Sequence, residues 1–399
     1  MFSISLGQNL EFVSSFTINS LNDVYINNNQ AYLATSDGLH IIDINDLSNP
    51  FQMGSLQIPN NVRGLVVSGN YAYLSVWFTG LYIVDITDPY TPSFVANYSM
   101  TWYTGDIGLV GAYIYICDYL GNYEIVNISN PQDPIHAGYY ETGDAADIEF
   151  EGVYAYIADG NYGLRIINIS DPANPTFVGG NPDLWIAVSV DIAGVYAYLA
   201  ALDAGIRVVD INDRSNPQQI SLFTPQSRAI DIAIMGNNAL LAEEATGLEL
   251  INISNPDSIS HIETYNTPGN ALNIATQGEY AFVADRSSLQ IFHVRSTAID
   301  DDREIALPEQ ANMSCYPNPF NSRINIVVTL PKEGQSQLGI YDIMGREITI
   351  FPNQLMHIGS NIITWDGYNY EGGLEPSGIY FVRLNFSNYE VKSKIILLK

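Results

Sequence analysis

Residues Gly163 to Pro175 read GLRIINISDPANP: a glycine, a short apolar run, then a polar stretch closed by Asp-Pro and Asn-Pro. A chemical site of this kind would occur once, whereas a piece of architecture would recur. The pattern returns at Gly38–Pro50 (GLHIIDINDLSNP), Gly80–Pro92 (GLYIVDITDPYTP) and Gly205–Pro217 (GIRVVDINDRSNP), with weaker copies at Asn122–Pro134 and Gly247–Pro256. A second signature runs through the copies: Ala31-Tyr32, Ala72-Tyr73, Ile114-Tyr115, Ala155-Tyr156, Ala197-Tyr198, Ala239-Leu240 and Ala281-Phe282, at spacings of 41, 42, 41, 42, 42 and 42. A fixed period of about 40–45 residues is that of a four-stranded propeller blade. The polar stretch then reads as a turn, with an Asp that bonds nearby backbone and prolines that keep the strand from continuing. The NIS triplets at Asn127, Asn168 and Asn252 read likewise as strand ends.

The fourth copy gives the blade. Ala146–Phe150 is a strand (a), Glu151-Gly152 turns, and Val153–Ala158 (VYAYIA) is a second strand (b) with alternating faces. Leu164–Ile169 is an apolar third strand (c) and Thr176–Gly179 a fourth (d). Seven such sheets stacked radially cover one another's faces. The seventh copy has no strand d, while an extra strand, Leu10–Thr17 (LEFVSSFT), precedes the first strand a. Pairing the two closes the ring and removes an exposed edge. The expected fold is all-β: a seven-bladed propeller over residues 1–295, an acidic linker over 296–312, and a separate domain over 313–399. In the last, short strands at Arg323–Leu330, Leu338–Ile343, Glu347–Phe351, Asn361–Trp365, Gly378–Phe386 and Lys392–Leu398 predict an immunoglobulin-like sandwich.

Charge separates the two parts. Residues 1–312 hold no lysine, eight arginines and 36 acids, a net charge of −28, whereas residues 313–399 balance seven basic against seven acidic groups. The acidic part repels phosphate backbones, which argues against nucleic acid as a partner. No apolar run reaches the ~20 residues of a membrane span. The opening MFSISLGQNLEF lacks the basic region of a signal peptide, so the chain as given reads without one. Two distant cysteines, Cys117 and Cys315, imply no disulfide framework, and the five histidines have no metal-ligand spacing.

The repeats resemble the LVIVD repeat family of bacterial propellers, over roughly residues 10–295. The last domain resembles the type A C-terminal sorting domain of the bacterial type IX secretion system. It does so at YPNPFN (Tyr316–Asn321), YDIMGRE (Tyr341–Glu347), WDGYNYEGG (Trp365–Gly373), SGIYFVRL (Ser377–Leu384) and KSKIILLK (Lys392–Lys399). The second resemblance implies export across the outer membrane to the surface or medium, with the type IX machinery as partner. It assigns the sorting signal to Tyr316, Pro317, Asn318, Pro319, Phe320, Gly345, Lys392, Lys394 and Lys399.

Variation between copies points to the face carrying the d–a and b–c loops. It gathers Trp77, Phe78, Trp102, Tyr103, Tyr119, Tyr162 and Trp185, flat apolar surfaces suited to a glycan or a protein ligand. It also carries acids: strand a begins with Asp23, Gly64, Asp106, Asp147, Ser189, Asp231 and Asn273, and strand b ends with Asp118, Asp159, Glu243 and Asp285 in four blades. Antiparallel pairing predicts Asp106 beside Asp118, Asp147 beside Asp159 and Asp231 beside Glu243. Adjacent carboxylates repel unless compensated. Ca²⁺ is one candidate compensator; Arg165, Arg207 or backbone amides are the others. No other cofactor is implied. No nucleophile elbow, HExxH or phosphate loop occurs. The reading is a non-enzymatic, monomeric, secreted or cell-surface propeller that binds a ligand. The alternatives are a polysaccharide-acting propeller enzyme with axial acids and a purely structural surface component.

Overall fold

The computed structural model describes residues 9–295 except 101–102, 119–121 and 185. Beyond them it describes 312–316, 324–330, 332, 334–351, 354–356, 359–365, 367–369, 373–386 and 389–397. Two compact units divide the chain at residue 298. The expected linker, 296–312, lies outside the described residues except for Asn312.

The first unit is a seven-bladed propeller of antiparallel four-stranded sheets. Blade 4 is Asp147–Glu151 (a), Tyr154–Ala158 (b), Leu164–Asn168 (c) and Thr176–Asn181 (d), paired in that order. In strand b the alternation buries residues on both faces, because each face meets a different neighbour. Tyr156, Ala158, Leu164 and Ile166 pack on Val190, Ala197, Leu199 and Val209 of blade 5. Ala155, Ile157 and Ile167 of the same blade pack on Tyr115, Cys117, Tyr123 and Ile125 of blade 3. The core is thus a ring of inter-blade layers.

The SDPANP stretch forms tandem side-chain-to-backbone turns. Asn168 Oδ1 accepts from Ser170 N–H at 2.8 Å and Asp171 Oδ1 from Ala173 N–H at 3.1 Å. The same pair of bonds recurs at Asp43/Asn45 and Asp46/Ser48, and at Asp85/Thr87 and Asp88/Tyr90. These turns also lock blades together. A Cβ on Gly179 in strand d of blade 4 would strike the carbonyl oxygen of Arg214 in the c–d turn of blade 5. The c–d turns are thus bonded within themselves and packed against the neighbouring blade.

Closure occurs at blade 7. Leu10–Thr17 runs antiparallel to Ser288–Val294, from Leu10 opposite Val294 to Thr17 opposite Ser288, beside Tyr280–Ala284 and Asn273–Gln277. Glu263 Oε2 accepts the N–H groups of Asn9 and Leu10 at 2.7 and 3.1 Å. Phe12 packs edge-on against Phe292 and stacks on Tyr265.

The second unit is a β-sandwich. One sheet holds Asn312–Tyr316, Ile324–Leu330 and Gly359–Trp365. The other holds Gly334–Asp342 at its centre, paired with Glu347–Ile350, Gln354–Met356 and Gly378–Phe386, with Tyr389–Leu397 on the far side of the last. Between them lies an apolar core that includes Ile326, Val328, Ile340, Val382 and Trp365.

Candidate functional site

Strand a of each blade faces the propeller axis, and its first residues build the site. Asp23, Asp106, Asp147, Ser189, Asp231 and Asn273 line two axial cavities, of about 250 and 410 Å³, and so form the ring between them. Most of these side chains reach the next blade. Asp23 Oδ2 accepts from Leu65 N–H at 2.7 Å, Asp147 Oδ2 from Val190 N–H at 2.8 Å and Asp231 Oδ2 from Ile274 N–H at 2.7 Å. Asn273 Oδ1 accepts from Val24 N–H at 3.3 Å, which carries the ring from the last blade to the first. Ser189 donates its hydroxyl to Asp231 Oδ1 at 2.6 Å. Blade 2 has Gly64 here, and Ser75 substitutes: its hydroxyl accepts from Gly64 N–H at 2.9 Å and donates to Gly105 O at 2.7 Å.

Burial sets the protonation of this ring. Loss of water pushes the Asp23 carboxyl up to about 7 against the pull of the Leu65 and Val24 amides. It raises Asp231 to about 7, with the Asp147 charge adding to the shift. Glu149 is raised by burial to about 8 and Asp191 to about 6. Asp106 is pushed well above the usual carboxylate range, through burial and then through the neighbouring Asp147, with which it is in hydrogen-bond contact.

The expected pairing of strand-a with strand-b acids does not form. Asp118 lies opposite Thr104, Asp147 opposite Ala158, and Asp231 opposite Ala242 with Glu243 opposite Ala229. In blades 3 and 6 a bulge in strand a, between Thr104 and Ile107 and between Ala229 and Asp231, shifts the register. The strand-a acids turn to the axis, while the strand-b acids hold the d–a and b–c loops. Asp159 Oδ1 accepts from Gly143 and Asp144 N–H at 2.8 and 2.7 Å, and its Oδ2 pairs with Arg165. Glu243 accepts from the Thr246 hydroxyl and meets the Glu249 carboxyl, and with burial this contact lifts it to about 8. Among the described residues no three His, Cys, Asp or Glu side chains converge as a metal-ligand set.

Of the aromatic residues singled out by loop position, Trp77, Phe78 and Tyr103 come together. Trp77 stands edge-on to Phe78 at 6.4 Å and to Tyr103 at 5.8 Å between ring centroids, and Phe78 and Tyr103 are 4.6 Å apart, tilted by 60°. Phe78 is 54% exposed and Tyr103 41%. Phe78 sits at φ 56° in the left-handed region, a strained place for a bulky side chain that glycine or asparagine fills more readily. Tyr162 is exposed in blade 4, with the Arg165 guanidinium 5.3 Å from its ring centre. Trp102, Tyr119 and Trp185 lie outside the described residues.

One residue of the site escaped the sequence reading. Arg63 lines the axial mouth and places its guanidinium carbon 5.0 Å from the Trp77 ring centre. Aligned repeats hold the signal: at the position before the ring residue the blades carry Asn22, Arg63, Gly105, Ala146, Val188, Ile230 and Leu272, and only blade 2 bears a charge.

Seven matches to the LVIVD repeat model tile residues 20–57, 59–100, 103–142, 142–180, 186–224, 227–267 and 268–294. The chain belongs to the LVIVD repeat family. Beyond the LVIVD propeller, residues 314–398 match the secretion system C-terminal sorting domain. Of the sorting residues named from sequence, Gly345 sits at a left-handed turn, φ 78°, and Lys392 and Lys394 are exposed on the last strand. Tyr316 ends the first strand of the sandwich, and Pro317, Asn318, Pro319, Phe320 and Lys399 lie outside the described residues. The LVIVD propeller has no match among curated proteins. Among solved structures it is similar to the β-propeller domain of Myceliophteria thermophila Cps50 (Swd1), with a TM-score of 0.58, 13% identity, and coverage of 71% of this chain and 99% of that one. It is also similar to the computationally designed Ika8 protein, with a TM-score of 0.54, 8% identity, and coverage of 71% and 100%. At these identities the likeness is one of fold. The sorting domain indicates export of the LVIVD propeller to the cell surface or the medium, with the type IX secretion machinery as its partner. Among the described residues no helix is long and apolar enough to cross a membrane.

Proposed function

We propose that the exported propeller is a non-enzymatic binding module that engages an extracellular glycan or protein through its d–a/b–c loop face. The observation that carries this reading is Phe78, an exposed ring held at a strained backbone angle against Trp77 and Tyr103. Strain of this kind persists where the surrounding structure holds it, and it concentrates at ligand sites. The opposite face, by contrast, closes its polar groups on themselves in the repeated turns. The axial acids support a structural role. Asp23, Asp147 and Asp231 each accept an amide from the neighbouring blade. The Asp106–Asp147 pair is in hydrogen-bond contact, closer than the ~5 Å or more that separates the two carboxyls of a glycoside hydrolase.

Arrays carrying both glycans and peptides, probed with the full chain, test the binding reading. Hits on the wild type are expected to weaken in Trp77→Ala, which removes the ring that the other two lean on. Hits of neither class, or hits that ignore this substitution, would count against it. The tail has a separate test. With a signal peptide supplied, in a host bearing the type IX system, the full chain is expected at the surface or in the medium. A version ending at Asp302 should stay in the periplasm. Equal export of the two would remove the sorting role.

A further inference from the structure

We propose that the ligand of this face is an uncharged saccharide, seated on Phe78 and Tyr103 and hydrogen-bonded by Arg63 and Trp77 at the rim of the axial cavity. This rests on the binding reading above and names its ligand class. The two exposed rings are 4.6 Å apart and tilted by 60°, so they form an open apolar notch rather than a closed stack. Beside the notch stand two nitrogen donors that meet no acceptor among the described residues: the Nε of Arg63 and the Nε1 of Trp77, both shut off from solvent. A buried donor without a partner is costly, because it has lost its water and gained nothing in return. A ligand whose oxygens reach these donors as the Arg63 and Trp77 side chains give way relieves this cost. The Arg63 guanidinium already covers the Trp77 ring at 5.0 Å, so that ring's cation site is filled and the free demand is for acceptors.

Sugar rings combine an apolar face for the notch with oxygens for the donors. The cavity behind Arg63, about 250 Å³, is lined by Asp23, Asp147 and Ser189, whose oxygens can take hydroxyl protons in return. Residues 1–312 carry a net charge of −28, which repels uronates and sulfated chains and leaves uncharged sugars favoured. An extended peptide would bind most readily by adding to a sheet edge. The outer edges of the blades, their d strands, lie on the circumference and not at this rim, and the inner edges, their a strands, already give amides to the axial side chains.

The test is calorimetric titration of the full chain with uncharged hexasaccharides (β-1,4- and β-1,3-glucans, an α-1,4-glucan, a mannan and an N-acetylglucosamine oligomer), with an oligo-uronate as the charged arm. Binding of at least one uncharged member and not of the oligo-uronate is expected. Phe78→Asn should weaken it about tenfold or more, as loss of an aromatic anchor does. Asparagine suits the left-handed backbone, so the melting temperature of that variant should hold or rise. Arg63→Lys keeps the charge and removes Nε, and should also weaken binding. Peptide hits that Trp77→Ala weakens, without saccharide binding, would overturn the saccharide and leave the binding reading standing. No ligand of either class would overturn both. Saccharide affinity unchanged in Phe78→Asn would overturn the placement.

Discussion

A chain shortened to begin at residue 19 is expected to lose its single cooperative melting transition, or to aggregate before it melts. The deletion removes the whole of Leu10–Thr17, the partner of Ser288–Val294 along its full length. It also removes buried Leu10 and the Phe12 contacts with Phe292 and Tyr265, and leaves Glu263 of blade 6 without the amides of Asn9 and Leu10. Each fully buried apolar side chain contributes about 1.5–3 kcal/mol. Losing Leu10 and opening the Leu289, Ile291, Phe292 and Val294 layer amounts to several such terms, against a total stability of only about 5–15 kcal/mol. The newly bared edge is apolar and unprotected, the kind that pairs with other chains. Calorimetry and light scattering on the truncated protein check this. A melt superimposable on that of the parent would refute closure as a source of stability.

Stability is also expected to fall as pH rises from about 5.5 to 8.5. Asp191, Asp23, Asp231, Glu149 and Glu243 are raised in the folded state to about 6, 7, 7, 8 and 8, and Asp106 is raised as well. Unfolded, Asp and Glu titrate near 3.9 and 4.3, about the usual values. Between these limits the folded protein holds more protons than the unfolded one, so each step up in pH favours unfolding. The contribution is full below the unfolded values and is lost as pH passes through the folded ones. Several such groups acting together should lower the melting temperature by on the order of 10 °C across this range. The effect should survive about 0.5 M salt, which screens surface repulsion but not buried carboxyls. Asp106→Asn replaces an acid pushed well above its usual range by an amide that can donate to Asp147, and should be at least as stable as the parent at pH 8.5. A melting temperature that is flat or rises with pH would show that these carboxyls are not held neutral.

The blades were legible because each must repeat the same inter-blade packing, which prints one period on the chain. The closing strand was legible for the same reason: seven strand-c segments were followed by only six strand-d segments. Register was not. The bulges ahead of Ile107 and Asp231 insert residues that spacing alone cannot assign to one strand or the other, so acids that look opposed in sequence point to different places. The bonds from Asp23 to Leu65 and from Asn273 to Val24 join different repeats, and a comparison within one repeat does not see them. In the second unit the strands at Asn312–Tyr316 and Gln354–Met356 went unread, the first merged with the proline-rich opening and the second too short to alternate. Arg63 was hidden because the aromatic loops drew attention to ring-bearing positions, whereas it stands on the inner strand that leads to them.

At five of the seven junctions the bonds around the axis run in one direction: a side chain of one blade takes the amide of its successor, and Asn273 hands the last blade back to the first. Such a circuit has an order but no starting point. The gene's cut, between strands c and d of one blade, is one of several that would leave every axial bond intact, so circular permutants opened elsewhere on the rim should fold to the same disc. Shuffling the blades is another matter. Gly64 leaves room that Asp106 of blade 3 occupies, since a Cβ there would lie 2.8 Å from its Oδ1. Blade 2 is thereby fitted to its particular follower, and the array reads as a fixed sequence of parts joined in a loop.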